Sequence, residues 1–143
     1  MSGYGYRFFV RGEPVAKGRP KFTTRGGFVR AITPEKTANY ETLVKLSFQE
    51  QCPNAVLFPK DVPLYVSIAA HFTIPKSTSK KKAEAMRNHE IPPTKKPDCD
   101  NLAKIICDAL NGIAYYDDAQ IARLEVSKFY GDEPGVYVWI EEL

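Results

Sequence analysis

A proline, two aspartates one residue apart and an Asn-Gly stop bracket the run Lys96–Ile121 (KPDCDNLAKIICDALNGIAYYDDAQI), which leaves room for one short helix with acids at both ends. A residue that precedes proline is kept out of the helical region, so Lys96-Pro97 implies an extended chain through Asp98 and Asp100. In an extended segment alternate side chains share a face, which turns both carboxylates the same way. Like charges held that close repel unless a cation lies between them, the arrangement that hard divalent metals select. From Asn101 onward Leu102, Ile105, Ile106, Ala109 and Leu110 follow the spacing of a buried helix face, and Asn111-Gly112 supplies the stop. The spacing predicts a helix of about three turns.

Opposite that stripe, at about 100° per residue, Asp100, Asn101, Lys104, Asp108 and Asn111 fall within one quadrant, with Lys104 one turn above Asp100. Tyr115-Tyr116-Asp117-Asp118-Ala119-Gln120 follows. A helix of about 11 residues climbs about 16 Å, and about five extended residues from Gly112 retrace nearly all of that at about 3.3 Å each. Asp117 and Asp118 are therefore expected beside Asp98 and Asp100. Three or four carboxylates with one lysine are the usual equipment for metal-assisted attack of water on a phosphodiester. Taken singly, Asp100 is a good helix N-cap, Asp117-Asp118 an ordinary turn, and Lys104 with Asp108 a solvated pair. Taken together, a cap accounts for one aspartate and not its neighbour two residues away, and the metal site is the better account.

Pro97-Asp98-Cys99-Asp100-Asn101-Leu102-Ala103-Lys104, then Asp108-Ala109-Leu110-Asn111-Gly112, then Tyr116-Asp117-Asp118-Ala119-Gln120-Ile121 resembles the signature of the RusA family of Holliday junction resolvases, endonucleases that cut four-way DNA junctions. The resemblance implies that Asp98, Asp100 and Asp118 bind magnesium, one or two ions per site with manganese as a substitute, and that Lys104 assists catalysis. Asp117 also matches the motif and joins the metal set. The resemblance further implies a RusA-like α+β fold and a homodimer, which suits the approximate two-fold symmetry of a four-way junction.

The 143 residues are expected to form a single domain, 1–143, with no apolar run approaching the roughly 20 residues of a membrane span. Met1-Ser2-Gly3-Tyr4 has no signal-peptide character. Cys52, Cys99 and Cys107 form no metal spacing and leave one thiol unpaired in any disulfide scheme, so a reducing cytoplasm is expected; the family resemblance implies that of a bacterium, with the gene its own or that of a phage or prophage.

A net charge of +3 says little about nucleic acid, but its distribution says more. Tyr4 to Val10 alternates as a first strand. Val15 to Arg30 then carries five basic residues and no acid among glycines and prolines, so Lys17, Arg19 and Lys21 are expected on a loop or short hairpin that contacts DNA backbone. Lys17-Gly18-Arg19-Pro20-Lys21-Phe22 also resembles the N-terminal segment of many phage-borne members of the same family. Phe22 or Phe28 could stack on an unpaired base or lie in the core; the sequence leaves both open.

Thr33-Pro34-Glu35 reads as a helix start with a capping hydroxyl, followed by a stripe of Tyr40, Leu43, Val44 and Phe48. Leu64 to Ile74 alternates as a strand. His71 within it is a lone histidine and is left out of the site. From Pro75 to Lys96 seven basic residues face two acids, with Thr78 or Ser79 capping a short helix and Lys80, Lys81 and Lys82 assigned to DNA. A turn at residues 131–135 joins two last strands, read as a core hairpin. This order implies an α+β domain with a mixed or antiparallel sheet and helices packed on it. The expected function is a magnesium-dependent nuclease that resolves four-way junctions in recombination and repair. The competing readings are a branched-DNA-binding protein without catalysis and a metal-dependent nucleotide hydrolase.

Overall fold

The computed structural model describes residues 5–18 and 21–143. Strand β1 (Gly5–Arg11) is followed by two short strands, β2 (Lys21–Thr23) and β3 (Arg30–Ile32), which form an antiparallel hairpin of their own. Helix α1 (Glu35–Gln51), strand β4 (Leu64–Thr73), helix α2 (Lys80–Arg87), helix α3 (Cys99–Ala109), strand β5 (Ile121–Gly131) and strand β6 (Gly135–Glu142) complete the chain. The main sheet has the order β1-β6-β4-β5, antiparallel except for the β4–β5 pair. It is thus a mixed sheet within an α+β domain, as expected.

Alternation decides the inner face. Phe8 and Val10 of β1, Val66, Ile68 and Ala70 of β4, and Val136, Val138 and Ile140 of β6 are all buried there. Helix α1 covers β1 and touches α3; Phe48 meets Phe8 and Tyr6 edge-on, with ring centroids 5.4 and 5.8 Å apart. The α1 stripe differs from expectation in one residue: Leu43 is exposed, and Thr37 and Ser47 are buried instead. Its start differs too, since Pro34 occupies the N-cap position and no side chain caps the helix. At the other end Gln51 spreads its amide along the outer side of β1, donating to the Phe9 carbonyl (2.7 Å) and accepting from the Phe9 N–H (2.8 Å).

The last two strands are neighbours in sequence but not in space, because β4 lies between β5 and β6. The hairpin reading is therefore overturned. Stepping over one strand takes about 10 Å, which the connection through Asp132–Pro134 spans at about 3.3 Å per residue. Composition explains the order. Strand β6 brings three fully buried aliphatics and takes a central place, whereas β5 brings Arg123, Glu125, Lys128 and a half-exposed Leu124 and takes the edge.

Parallel strands cannot be joined by a tight turn, and the crossover between β4 and β5 is made by α2 and α3. Ser79 caps α2 by accepting from the Lys82 N–H. Helix α3 buries Leu102, Ile105, Ile106 and Ala109 against the sheet, as the 3.6-residue spacing predicts. Ile106→Ala is expected to cost about 2–5 kcal/mol through the cavity it leaves, measured as a fall in the urea midpoint at unchanged slope; a cost within experimental error would show that α3 is not seated in this core.

Candidate active site

Helix α3 begins one turn earlier than its aliphatic stripe suggests. Asp98 is the N-cap and its carboxylate accepts from the Asn101 N–H at 2.9 Å. Asp100 lies inside the first turn, not on an extended segment, so the strand-like alternation of the two acids is corrected. The capping demand of a helix starting right after Pro97 accounts for the change, because the first-turn N–H groups need an acceptor.

The return of the chain also differs from the extended run predicted after Gly112. Gly112 takes φ +74°, and its N–H donates to the Tyr115 carbonyl at 2.7 Å, which folds residues 111–115 into a compact turn. Tyr115 is wholly buried and its hydroxyl donates to the Cys107 carbonyl at 2.6 Å. Asn111 accepts from the Asp118 N–H at 2.8 Å. Gln120 closes the arrangement: its amide N–H groups reach the carbonyls of Pro59 (2.9 Å) and Val62 (3.1 Å), while its oxygen accepts from Tyr116 and Asp117 N–H. Asn111, Tyr115 and Gln120 therefore place Asp118. Asn111 and Gln120 stand in the sequence motif as polar residues within reach of a turn, which was the available signal; the roles follow only from tertiary contacts.

Asp118 consequently meets the C-terminal half of α3 and not its start. An open cavity of about 400 Å³ is lined by Asp100, Lys104, Cys107, Asp108, Asp118 and Leu124, among others. Partial burial raises the pKa of Asp118, hydrogen bonding to Asp108 and Asp117 raises it further, and Asn111 opposes them. Asp100 and Asp108 are eight residues apart, about 12 Å along the helix axis. The carboxylates thus gather as a group at each end of one face, with Lys104, exposed, between them. Among the described residues no three His, Cys, Asp or Glu side chains stand close enough to hold a metal ion. The donor chemistry nevertheless fits a hard divalent cation, since the cavity's acids offer only carboxylate oxygens.

The remaining assigned residues are dispersed. Asp117 caps the short turn at 118–120 by accepting from the Ala119 N–H, and it lines a separate cavity with Lys60 and Tyr116. Lys17, expected to contact DNA backbone, forms ion pairs with Glu41 (2.7 Å) and Asp108 (3.2 Å). Arg19 lies outside the described residues, and Lys21 is described only as backbone of β2. Lys80, Lys81 and Lys82 are exposed on the first turn of α2. Lys80 lines a cavity with Gly131 and Asp132, at the opposite end of β5 from Ile121, which lines the carboxylate cavity. Phe22 and Phe28, 72% and 68% exposed, are not core residues. Sequence reasoning passed over Glu41, whose only signal was a place on the polar side of α1.

An α+β domain whose crossover helix lines an open cavity with acids and a lysine is the build of a candidate nuclease. A sequence profile described as Endodeoxyribonuclease RusA matches residues 11–141, and the chain belongs to the RusA endodeoxyribonuclease family. It is also 40% identical over 139 residues, 96% of each chain, to "Uncharacterized protein YqaN" of Bacillus subtilis (strain 168).

An acid whose pKa is raised on folding holds a proton that the unfolded chain releases, so its contribution to stability falls as pH rises from the ordinary aspartate range through the raised value. Asp118→Asn is therefore expected to raise the Tm at neutral pH and to leave it nearly unchanged below about pH 4. A lower Tm at neutral pH would mean that the carboxylate stabilises the fold.

Proposed function

We propose that this endonuclease is magnesium-dependent and resolves four-way DNA junctions by paired nicks, acting as a homodimer in the bacterial cytoplasm in DNA recombination and repair. The observation that carries the reading is the single open cavity shared by Asp100, Lys104 and Asp118 in a chain of this family. Asp100 and Asp118, with Asp98 beside the first turn, would hold one or two magnesium ions; a bound ion supplies activation of water and charge neutralisation at the scissile phosphate. Lys104 stands between the two groups of acids, where its ammonium offsets negative charge developing on that phosphate or protonates the leaving oxygen.

The carboxylates repel DNA on their own, and cationic groups elsewhere must hold the backbone. Exposed Lys80, Lys81 and Lys82 are suited to this, as is the hairpin that carries Phe22 and Phe28, whose rings would stack on unpaired bases at the branch point. Selection of a junction then rests on shape and phosphate contacts, with few contacts to base edges.

The protein is to be incubated with a synthetic four-way junction, with magnesium or with chelator, beside linear duplex. Paired, magnesium-dependent nicks near the crossover are expected; binding without cleavage by the wild type would make it a branched-DNA-binding protein, and neither would return it to the nucleotide hydrolases. Asp100→Asn is expected to abolish cleavage with junction affinity and circular dichroism unchanged, since Asp98 and not Asp100 caps the helix. Loss of helix signal would assign Asp100 to the fold. Replacing Lys80, Lys81 and Lys82 together by alanine should lower the slope of log affinity against log salt by up to about 3 if each meets a phosphate; an unchanged slope would leave α2 off the DNA.

A further inference from the structure

Lys17 is the one residue assigned to DNA whose described side chain points into the candidate site. Its ammonium lies 2.7 Å from Glu41 Oε2 on α1 and 3.2 Å from Asp108 Oδ2 on α3, so one cation bridges the two helices. The three side chains are only 20%, 18% and 32% exposed. Desolvation pushes the Lys17 pKa down, but the two carboxylates outweigh it and hold it above the ordinary lysine value.

The backbone beside it is docked independently. The Gly18 N–H donates to Thr37 Oγ1 at 2.8 Å, and a Cβ at Gly18 would sit 2.8 Å from that hydroxyl and 2.9 Å from Pro34 Cγ. Only glycine lets the loop come this close to the first turns of α1. Lys17 is thus delivered to Glu41 and Asp108 by the loop's own seat on α1. Two of its three donors are committed there, which leaves little for a phosphate.

We propose that Lys17 is a positioning residue for the active site: anchored by Glu41, it fixes the Asp108 carboxylate on the cavity wall beside Asp118. This rests on the metal-dependent reading above. Without the lysine, Glu41 and Asp108 face each other as bare like charges, and Asp108 is driven toward Asp118 and out of register. The basic N-terminal loop and the carboxylates are thereby set by one contact, and a change in the loop's seat reaches the site through Asp108.

The test is manganese uptake by the full-length protein, read from the free-ion signal in electron paramagnetic resonance, together with junction affinity in chelator. Lys17→Met is expected to weaken manganese binding by about 10-fold, the lower end of the range for disturbing a partner of a metal ligand, here Asp108 beside Asp118, with junction affinity held within about two-fold. Lys17→Arg, which keeps charge and reach, restores most of the loss. Unchanged or tighter manganese binding in Lys17→Met would overturn the proposal and reduce the lysine to a charge neutraliser. A fall in junction affinity in chelator as large as that of the Lys80–Lys82 replacement would overturn it in favour of a DNA contact. Should Lys17→Met fail to fold, Glu41→Gln keeps the lysine and removes its anchor, and an unchanged manganese affinity there overturns the proposal equally. Wild-type protein that takes up no manganese would remove the metal-dependent reading itself, and the Lys17 role with it; normal wild-type uptake with indifferent variants would remove only the latter.

Discussion

The parallel pairing of β4 with β5 is the constraint on which the rest of the molecule depends. A parallel pair obliges the chain to travel back across the sheet before it can pair again, and a helix is the economical way to do so. Helix α3 makes that return with its aliphatic face on the core, so its polar face and both ends are left at the surface near β5. The candidate site is what that obligatory return leaves outside. Its residues are spread along one helix face and an adjoining turn because those are the parts of a crossover that no core claims.

Within the site, charge is arranged against the fold's own interest. Asp108 and Asp118 are brought close enough to raise a pKa, and each is held there by other groups, Lys17 on one side and Asn111 on the other. Such an arrangement costs stability unless a cation is present, which is the pattern of sites that trade stability for chemistry. The supporting groups are ordinary polar and cationic side chains on α1, on the turn after α3 and on the N-terminal loop, so the site draws on most of the domain.

Period-based features of the sequence carried well into the structure. The stripe from Leu102 to Leu110, the alternation of β4 and the burial of Tyr40, Val44 and Phe48 on α1 each follow from which residues shun water, and burial settled them locally. What the sequence did not reveal is where tertiary context decides between equally good local choices. Either Asp98 or Asp100 could cap α3, and the helix starts at the earlier of the two. An extended or a folded path from Gly112 would both satisfy the chain length, and the burial of Tyr115 settled that. Pairing of β5 with β6 looked natural from a five-residue connection, yet only the competition among three strands for the centre of the sheet determines who neighbours whom. Lys17 read as one of five similar basic groups until α1 packed against α3 and supplied its two acids.

The Gln51 amide on β1 has a consequence of a different kind. It fills the hydrogen-bonding positions of Phe9 that an added strand would need, so a helix-terminal side chain does the work of a blunted sheet edge. At an exposed position the loss of such a residue scarcely changes the free energy of folding. It would show instead in how concentrated the protein can become before molecules join edge to edge, and colloidal behaviour in this chain is thus set partly by one neutral residue.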